Sequence, residues 1–289
     1  MRLIVGLALI AFWWPVAWRE IRPISDYYFF PLWLGYILTV DGLVGLRTGT
    51  SPIARYGSRV LWMFVASSAL WWVFELINEV VGNWHYQTPV VYTPFEYFLL
   101  ASLAFSTVIP AMLTTAELVR SLKLDALKSL PRLRVTNRRL IGYHLLGWII
   151  VVVTIIAPSV FFPFVWFTLI FLLDPILTLL GGRSIARYLE RGDWSVVFNL
   201  GLATLVCGFF WEMWNIFSMP KWTYEIPYAE WLHVFEMPIL GYGGYIPFGL
   251  EVYVFYELCR VLAGRFTLPV TPVSNRDESN DHNSVLAAD

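Results

Sequence analysis

Residues 72–89 read WVFELINEVVGNWHYQTP, residues 209–227 read FFWEMWNIFSMPKWTYEIP, and the two stretches resemble each other position by position. Each places a carboxylate and a carboxamide one helical turn apart near the end of an apolar run, and an aromatic loop with a proline follows. The matched positions are Glu75 with Glu212, Asn78 with Asn215, Trp84 with Trp222, Tyr86 with Tyr224, and Pro89 with Pro227. We interpret the repeated unit as a polar cluster at one face of a membrane.

The resemblance continues well beyond these two stretches, at a nearly constant offset. Further matched positions are Asp41 with Asp174, Arg55 with Arg187, Phe95 with Phe235, Glu96 with Glu236, Pro110 with Pro247, and Glu117 with Glu257. Self-similarity at one offset over most of a chain is the sequence signature of a structural repeat. The sequence therefore predicts a tandem duplication.

The composition is that of a polytopic membrane protein. Of the 289 residues, 58% are hydrophobic and 14% are charged, whereas soluble domains carry about 25% charged residues. The 15 tryptophans suit the lipid headgroup level and the contacts between packed helices. Because the net charge is −1 and no basic stripe with interleaved aromatics occurs, we expect no nucleic-acid partner.

The apolar runs predict an all-α bundle of about eight transmembrane helices, arranged as two tandem, parallel four-helix repeats. The predicted spans are 3–18, 28–46, 59–82, 96–121, 139–158, 160–181, 194–218 and 235–262. The predicted domains are repeat 1 over 1–121, a basic cytoplasmic linker over 122–138, repeat 2 over 139–265, and a disordered cytoplasmic tail over 266–289.

The basic residues predict how the chain is oriented. Lysine and arginine concentrate in 47–59, in 121–139 and in 182–193, whereas 82–95 has none and 219–234 has only Lys221. The positive-inside rule then places both termini in the cytoplasm and both aromatic loops outside. We expect a bacterial inner (plasma) membrane protein whose two repeats have the same orientation.

Four glutamates are the candidate catalytic groups, since acidic residues in a membrane are costly unless they are paired or face a cavity. Glu75 and Glu212 lie near the outer ends of their predicted helices, and Glu96 and Glu236 begin the helices that return from outside. We expect all four to converge on one outer-facing chamber. A carboxyl group beside an apolar wall can hold a proton near neutral pH, as a general acid must.

Six further residues are candidates for substrate binding. Asn78 and Asn215 share a helix face with their glutamates and are expected to orient them, and the loop aromatics could form a lid: these are Trp84, Tyr86, Trp222 and Tyr224. The alternatives are interhelical hydrogen bonds that only fix the bundle, and aromatic residues that only mark the membrane interface. Both alternatives stay open at the level of the sequence.

Two further glutamates are expected to be structural, whereas Asp41 and Asp174 stay open between a structural and a functional role. Glu117 and Glu257 each precede an arginine by three residues, which is typical of a solvated ion pair. No H-E-x-x-H, C-x-x-C, G-x-S-x-G or nucleotide-binding glycine loop occurs, so we predict neither a metal nor a cofactor.

Residues 84–86 (WHY) followed by residues 94–98 (PFEYF) resemble the W-x-Y and P-x-E-E-F signature of the heterodimeric-type lycopene cyclase domain and related carotenoid-biosynthesis membrane proteins. Residues 222–224 and 235–238 are similar. The resemblance implies two homologous small membrane domains, acid-catalysed cyclisation or hydration of polyene ends, and Glu96 and Glu236 as the matching carboxylates. The second acidic residue of the signature is replaced by Tyr97 and Met237, and each repeat has four predicted helices where that family has about three.

Three functions follow from these patterns. The first hypothesis is a cofactor-free membrane enzyme that uses intramembrane carboxylates to cyclise, hydrate or isomerise an apolar isoprenoid or other lipid. The second is a proton- or cation-coupled transporter, in which the glycine-rich residues 241–247 break the eighth helix and form a gate. The third is a lipid-binding membrane scaffold. The sequence leaves the oligomeric state open.

Overall fold

The computed structural model describes residues 1–123, 130–229, 231–264, 268–275 and 277, and these are mostly helical. The helices are α1 (Arg2–Trp18), α2 (Phe29–Thr48), α3 (Pro52–Tyr56), α4 (Leu61–Val81), α5 (Pro94–Phe105), α6 (Val108–Arg120), α7 (Asn137–Ile156), α8 (Pro158–Phe161), α9 (Val165–Leu179), α10 (Ile185–Glu190), α11 (Ser195–Asn215) and α12 (Tyr242–Leu262). Short 3₁₀ turns at 24–27, 57–60, 162–164 and 239–241 lead into α2, α4, α9 and α12.

Six helical segments among the described residues are long and apolar enough to cross a membrane, which fits an integral membrane protein. They are Phe29–Thr48, Pro52–Val81, Pro94–Arg120, Asn137–Ile156, Pro158–Leu179 and Ser195–Asn215. Helix α1 is apolar but shorter. Glu251, Glu257 and Arg260 interrupt the apolar sequence of α12. The count of eight spans and the repeat architecture stay predictions.

The segment predicted as one helix over 96–121 is divided between α5 and α6 at Ser106 and Thr107. Ser67 of α4 compensates for this interruption: its hydroxyl donates to the carbonyl of Phe105 at 2.6 Å and accepts from the amide of Ile109 at 3.0 Å. Buried backbone groups need such partners where no water reaches them. The interruption therefore lies where a side chain of a neighbouring helix can satisfy it.

Helices α2, α6, α11 and α12 form the centre of the bundle, with α1 against α2 and α7 against α9. Aromatic side chains fill the interior, and Trp33, Trp214 and Tyr28 are almost completely buried. Trp33 packs on Trp211 and on Trp214, with ring centroids 5.1 and 5.2 Å apart. Such ring contacts are worth about 0.5–1.5 kcal/mol beyond the area that they bury.

The two aromatic loops meet in a small sheet. Strand β1 (Trp84–Gln87) pairs antiparallel with β2 (Lys221–Tyr224), and β3 (His233–Val234) pairs with β4 (Met237–Pro238). In the first sheet Trp84 lies opposite Tyr224, and Tyr86 lies opposite Trp222. Matched residues of the two copies therefore occupy symmetric places across the strand pair.

Part of the tail predicted over 266–289 lies among the described residues. Residues 268–275 and 277 lie against the helix ends that face away from the two sheets. The side chain of Asn199 donates to the carbonyl of Val273 at 2.8 Å, and Arg183 pairs with Asp277 at 2.7 Å. Asn199 is buried, and Arg183 and Asp277 are half-buried. These contacts, which the composition of the tail did not indicate, hold the segment in place. The other residues of 266–289 lie outside the described residues.

Candidate functional site

The carboxylate of Glu75 lies near the C-terminal end of α4 and receives three hydrogen bonds on one oxygen, Oε1. The donors are the indole N–H groups of Trp71 at 2.9 Å and Trp84 at 3.1 Å, and the phenol of Tyr86 at 2.7 Å. Trp71 precedes Glu75 by one helical turn, whereas Trp84 and Tyr86 come from β1, which returns over the end of the helix. One helix and the strand that follows it thus build a complete carboxylate site.

Glu212 occupies the matching place on α11 and is completely buried. Its Oε1 accepts from the phenols of Tyr224 and Tyr245, each at 2.7 Å, and Trp222 donates to the Tyr224 oxygen at 2.8 Å. Its Oε2 is buried and has no hydrogen-bond partner among the described residues. The second carboxyl group therefore keeps one oxygen available for a proton.

One donor to each carboxylate differs between the copies: it is Trp71 for Glu75 and Tyr245 for Glu212. Trp71 matches Gly208, and Tyr245 matches Val108. In the second copy the ring of Tyr245 fills the space beside Gly208, since a Cβ at Gly208 would lie 2.6 Å from a ring carbon of Tyr245. The donor has moved from the glutamate's own helix to a neighbouring helix. Sequence reasoning missed both Trp71 and Tyr245, although the reciprocal exchange of a small and a large residue was a readable signal.

The two asparagines hold the strands rather than the carboxylates. Asn78 donates to the carbonyl of Trp84 at 2.8 Å and accepts from its amide at 3.2 Å. Asn215 makes the same pair of bonds with Trp222, at 2.7 and 2.9 Å. Both asparagines therefore fix the backbone that carries the donors to the glutamates; the prediction that they orient the glutamates stays a prediction.

A cavity of about 230 Å³ lies beneath the first sheet. Five indoles line it: Trp71, Trp84, Trp166, Trp211 and Trp222. The phenols that reach the two carboxylates, Tyr86, Tyr224 and Tyr245, line it as well. Neither Glu75 nor Glu212 is a lining residue, so both carboxylates lie behind the aromatic wall and reach the cavity through hydroxyl groups.

None of the four predicted glutamates lines this cavity, and only Glu75 and Glu212 contact tyrosines that do. Glu96 is exposed and caps its own helix, since its Oε2 accepts from the Thr93 amide at 2.8 Å and the Thr93 hydroxyl at 2.7 Å. This capping box, with the Thr93 hydroxyl accepting from the Glu96 amide, accounts for the carboxylate by itself. Glu236 instead pairs with Lys221, with 2.5 Å between Nζ and Oε1.

The phenols of the loop strands are held in the neutral form. Burial, followed by the neighbouring Glu75, raises the pKa of Tyr86 well above its ordinary value of 10. Burial and Glu212 raise the pKa of Tyr224 in the same way. At neutral pH both hydroxyls keep their protons and donate them to the carboxylates.

Other acidic residues form structural contacts at the opposite end of the bundle. Asp41 accepts from the Ile53 amide at 2.9 Å, and Asp174 accepts from the Ile185 amide at 2.7 Å, so each caps a short helix. Glu117 does not form the solvated pair that was expected: it is buried and receives two hydrogen bonds from Arg55, at 2.8 and 2.6 Å. Sequence spacing could not show a partner so distant in the chain.

Within the described ranges, no group of three or more histidine, cysteine, aspartate or glutamate residues is placed to hold a metal ion. His85 faces Glu225 at 3.5 Å on the exposed side of the sheet. No protein-family model, no curated protein and no solved structure matches the chain.

Proposed function

We propose that the chain is a membrane-embedded enzyme that moves protons to and from an apolar lipid bound in the aromatic cavity. The observation that carries this proposal is the same in both copies: a carboxyl group lies 2.7 Å from a phenol that lines the cavity. Tyr86 and Tyr224 face the substrate, and Glu75 and Glu212 supply or accept the proton behind them.

The geometry suits a proton relay. As a phenol hydroxyl gives its proton to a substrate carbon, the carboxyl group behind it gives its own proton to the phenol oxygen, so the phenol is never left as a phenolate. The reverse transfer at the second pair removes a proton from another carbon. Protonation at one carbon and deprotonation at another rearranges double bonds with no net change in atoms or electrons, and hence without a redox cofactor.

The cavity wall suits the intermediate of such a reaction. Protonation of a carbon–carbon double bond creates a carbocation, and aromatic ring faces attract a cation. Trp166, Trp211 and Phe248 line the buried side of the cavity. Water there would trap the cation as an alcohol, so exclusion of water favours isomerisation or cyclisation, and admission of one water gives hydration.

Mass spectrometry of lipid extracts tests the proposal directly. Membranes that make a product with the wild-type chain are compared with membranes that carry the Glu75→Gln and Glu212→Gln double variant at the same expression level. We expect loss of the product in the double variant. Glu79→Gln on the exposed side of α4 is the matched control and should leave the product unchanged. Continued product formation by the double variant would refute acid–base chemistry at these carboxylates.

A proton-coupled transporter is the second candidate, and Glu251 favours it. This residue is completely buried on α12; its Oε1 accepts from the Leu169 amide at 2.8 Å, and its Oε2 has no hydrogen-bond partner among the described residues. Buried carboxyl groups of this kind carry protons in many transporters. The expected gate at 241–247 needs revision, because α12 begins at Tyr242 and continues through Pro247.

Uptake into proteoliposomes under a pH gradient separates the two candidates. A transporter takes up its substrate only under the gradient and loses this uptake in Glu251→Gln. An enzyme forms its product in detergent without any gradient. If the glutamate variants alter only thermal stability and neither activity is found, the scaffold hypothesis is favoured.

A further inference from the structure

The residues that line the aromatic cavity differ strongly in their exposure. Trp211, Phe248 and Val108 are buried, with 6%, 2% and 4% of their surfaces exposed. Tyr27 and Leu103, on the opposite side of the same cavity, are 54% and 46% exposed. The cavity therefore opens between the 3₁₀ turn that precedes α2 and the helix α5, and it ends at the buried aromatic wall.

The mouth of this opening carries polar groups that are already neutralised. Asp26 lines the cavity and receives two hydrogen bonds from Arg22, at 3.0 and 3.1 Å. Thr88 and Tyr92 line the same side of the cavity. The mouth thus offers hydroxyl groups and a paired cation, which suit a neutral hydrogen-bonding head better than a phosphate.

The inner part of the cavity offers little to a charged head. Lys221, a lining residue, is paired with Glu236. The N–H groups of Trp71 and Trp84 and the hydroxyl of Tyr86 are directed to Glu75, so the polar atoms of this wall already have partners. What remains for a ligand is largely the hydrocarbon surface of aromatic rings, and burying an anion there without partners is costly.

We propose that the ligand is an amphiphilic lipid with a neutral head, which enters from the membrane between α2 and α5 with its hydrocarbon end first. The head stays at the mouth beside Asp26 and Tyr92. The far end of the chain reaches Tyr86, Tyr224 and Tyr245. This inference rests on the proposed function and specifies it: the reaction takes place at the end of the hydrocarbon chain, and the head group is not altered.

Photo-crosslinking tests the orientation without requiring turnover. The Glu75→Gln and Glu212→Gln double variant in vesicles is illuminated with hexadecanol that carries a diazirine either beside its terminal methyl group or beside its hydroxyl group. We expect the terminal diazirine to label peptides that contain Trp166, Trp211 or Phe248. The diazirine beside the hydroxyl should label residues 22–27 and 88–97.

A matched pair of variants on α5 distinguishes the cavity from ordinary lipid contact. Ala104 lines the cavity, whereas Leu99 is 50% exposed and is not a lining residue. Ala104→Trp should abolish labelling of the inner peptides, and Leu99→Trp should leave it intact. Hexadecyl phosphate should compete with the alcohol probe less well than unlabelled hexadecanol does.

The outcomes separate the orientation from the enzymatic proposal. Identical labelling by the two probes, the reversed pattern, or inner labelling that survives in Ala104→Trp would overturn the proposed orientation, even if the wild-type chain forms a product. The expected labelling pattern without any product in the wild type would keep the binding mode and overturn the enzymatic proposal.

Discussion

The contact between Gly208 and the ring of Tyr245, which donates to Glu212, gives the sharpest test of the second carboxylate site. Gly208→Ala places a methyl group against the ring of Tyr245, and Tyr245→Val introduces at that position the residue type that the first copy has at Val108. The double variant combines the methyl group with a side chain that no longer fills the space beside it. The four proteins form a double-mutant cycle for one contact.

The structure sets the sizes of the competing effects. The new Cβ would lie 2.6, 2.7 and 2.8 Å from three ring atoms of Tyr245, well inside the ordinary contact distances of 3.4–4 Å. Overpacking of this kind costs about 1–3 kcal/mol. Alanine gains about 1 kcal/mol over glycine in a helix interior. Displacing the ring also weakens its 2.7 Å hydrogen bond to Glu212, and an intramolecular hydrogen bond is worth about 0.5–1.5 kcal/mol. Overpacking and the weakened bond together exceed the helix gain.

The assay is the free energy of unfolding in detergent, measured for all four proteins. We expect Gly208→Ala to destabilise the wild type but to be neutral or stabilising once Tyr245 is Val. Gly142→Ala on α7, where a Cβ meets nothing within 4 Å, is the matched control and should be neutral or stabilising. An equal cost of Gly208→Ala with Tyr245 and with Val, or no cost at all, would refute the reasoning.

Three further predictions concern the scaffold of the site. Ser67→Ala leaves the Phe105 carbonyl and the Ile109 amide of the α5–α6 interruption without a partner, and should cost about 1–3 kcal/mol of unfolding free energy; no loss would mean that these groups find another partner. Removing Arg55 alone should lower the free energy of unfolding by about 3–5 kcal/mol, because Glu117 then stays buried without this partner. Replacing both Arg55 and Glu117 by apolar residues should lower it less. Chemical denaturation measures both changes. The pKa of Tyr86 is raised above 10 in the folded state, so its contribution to stability is complete below pH 10 and decreases as pH rises further. Tyr86→Phe should therefore reduce the loss of thermal stability that a titration to alkaline pH measures. Tyr228→Phe, at an exposed position, should not reduce this loss.

Periodicity and the internal repeat predicted what is local in the chain. The apolar runs indicated helices close to those observed, and the repeated stretch identified Glu75 and Glu212 together with the tyrosines that contact them. The capping role of Glu96 was also readable, since threonine three residues before glutamate at a helix start is the capping-box pattern. It was overlooked because Glu96 was compared with Glu236 and with a family signature rather than with its own neighbours.

Contacts between distant segments could not be predicted from the same patterns. Arg55 reaches Glu117 across 62 positions, and Tyr245 reaches Glu212 from another helix across 33 positions. Nothing in the local sequence of either residue specifies its partner, because the distance depends on how the helices pack. The described part of the tail is a similar case, since its polar residues are satisfied by Asn199 and Arg183 rather than by water.

The antiparallel pairing of β1 with β2 brings the two repeated sequence stretches to a single cavity. Alternate residues of a strand point to the same face, so Trp84 and Tyr86 of one strand and Trp222 and Tyr224 of the other contribute to the same wall. Two identical pairs would compete for the same role, whereas an acid and a base must differ. The surroundings of the two glutamates differ. Glu75 has indole donors and lies partly open. Glu212 has a second phenol as a donor and is completely buried. The divergence of the two copies thus provides the inequality between proton donor and acceptor that the proposed reaction needs.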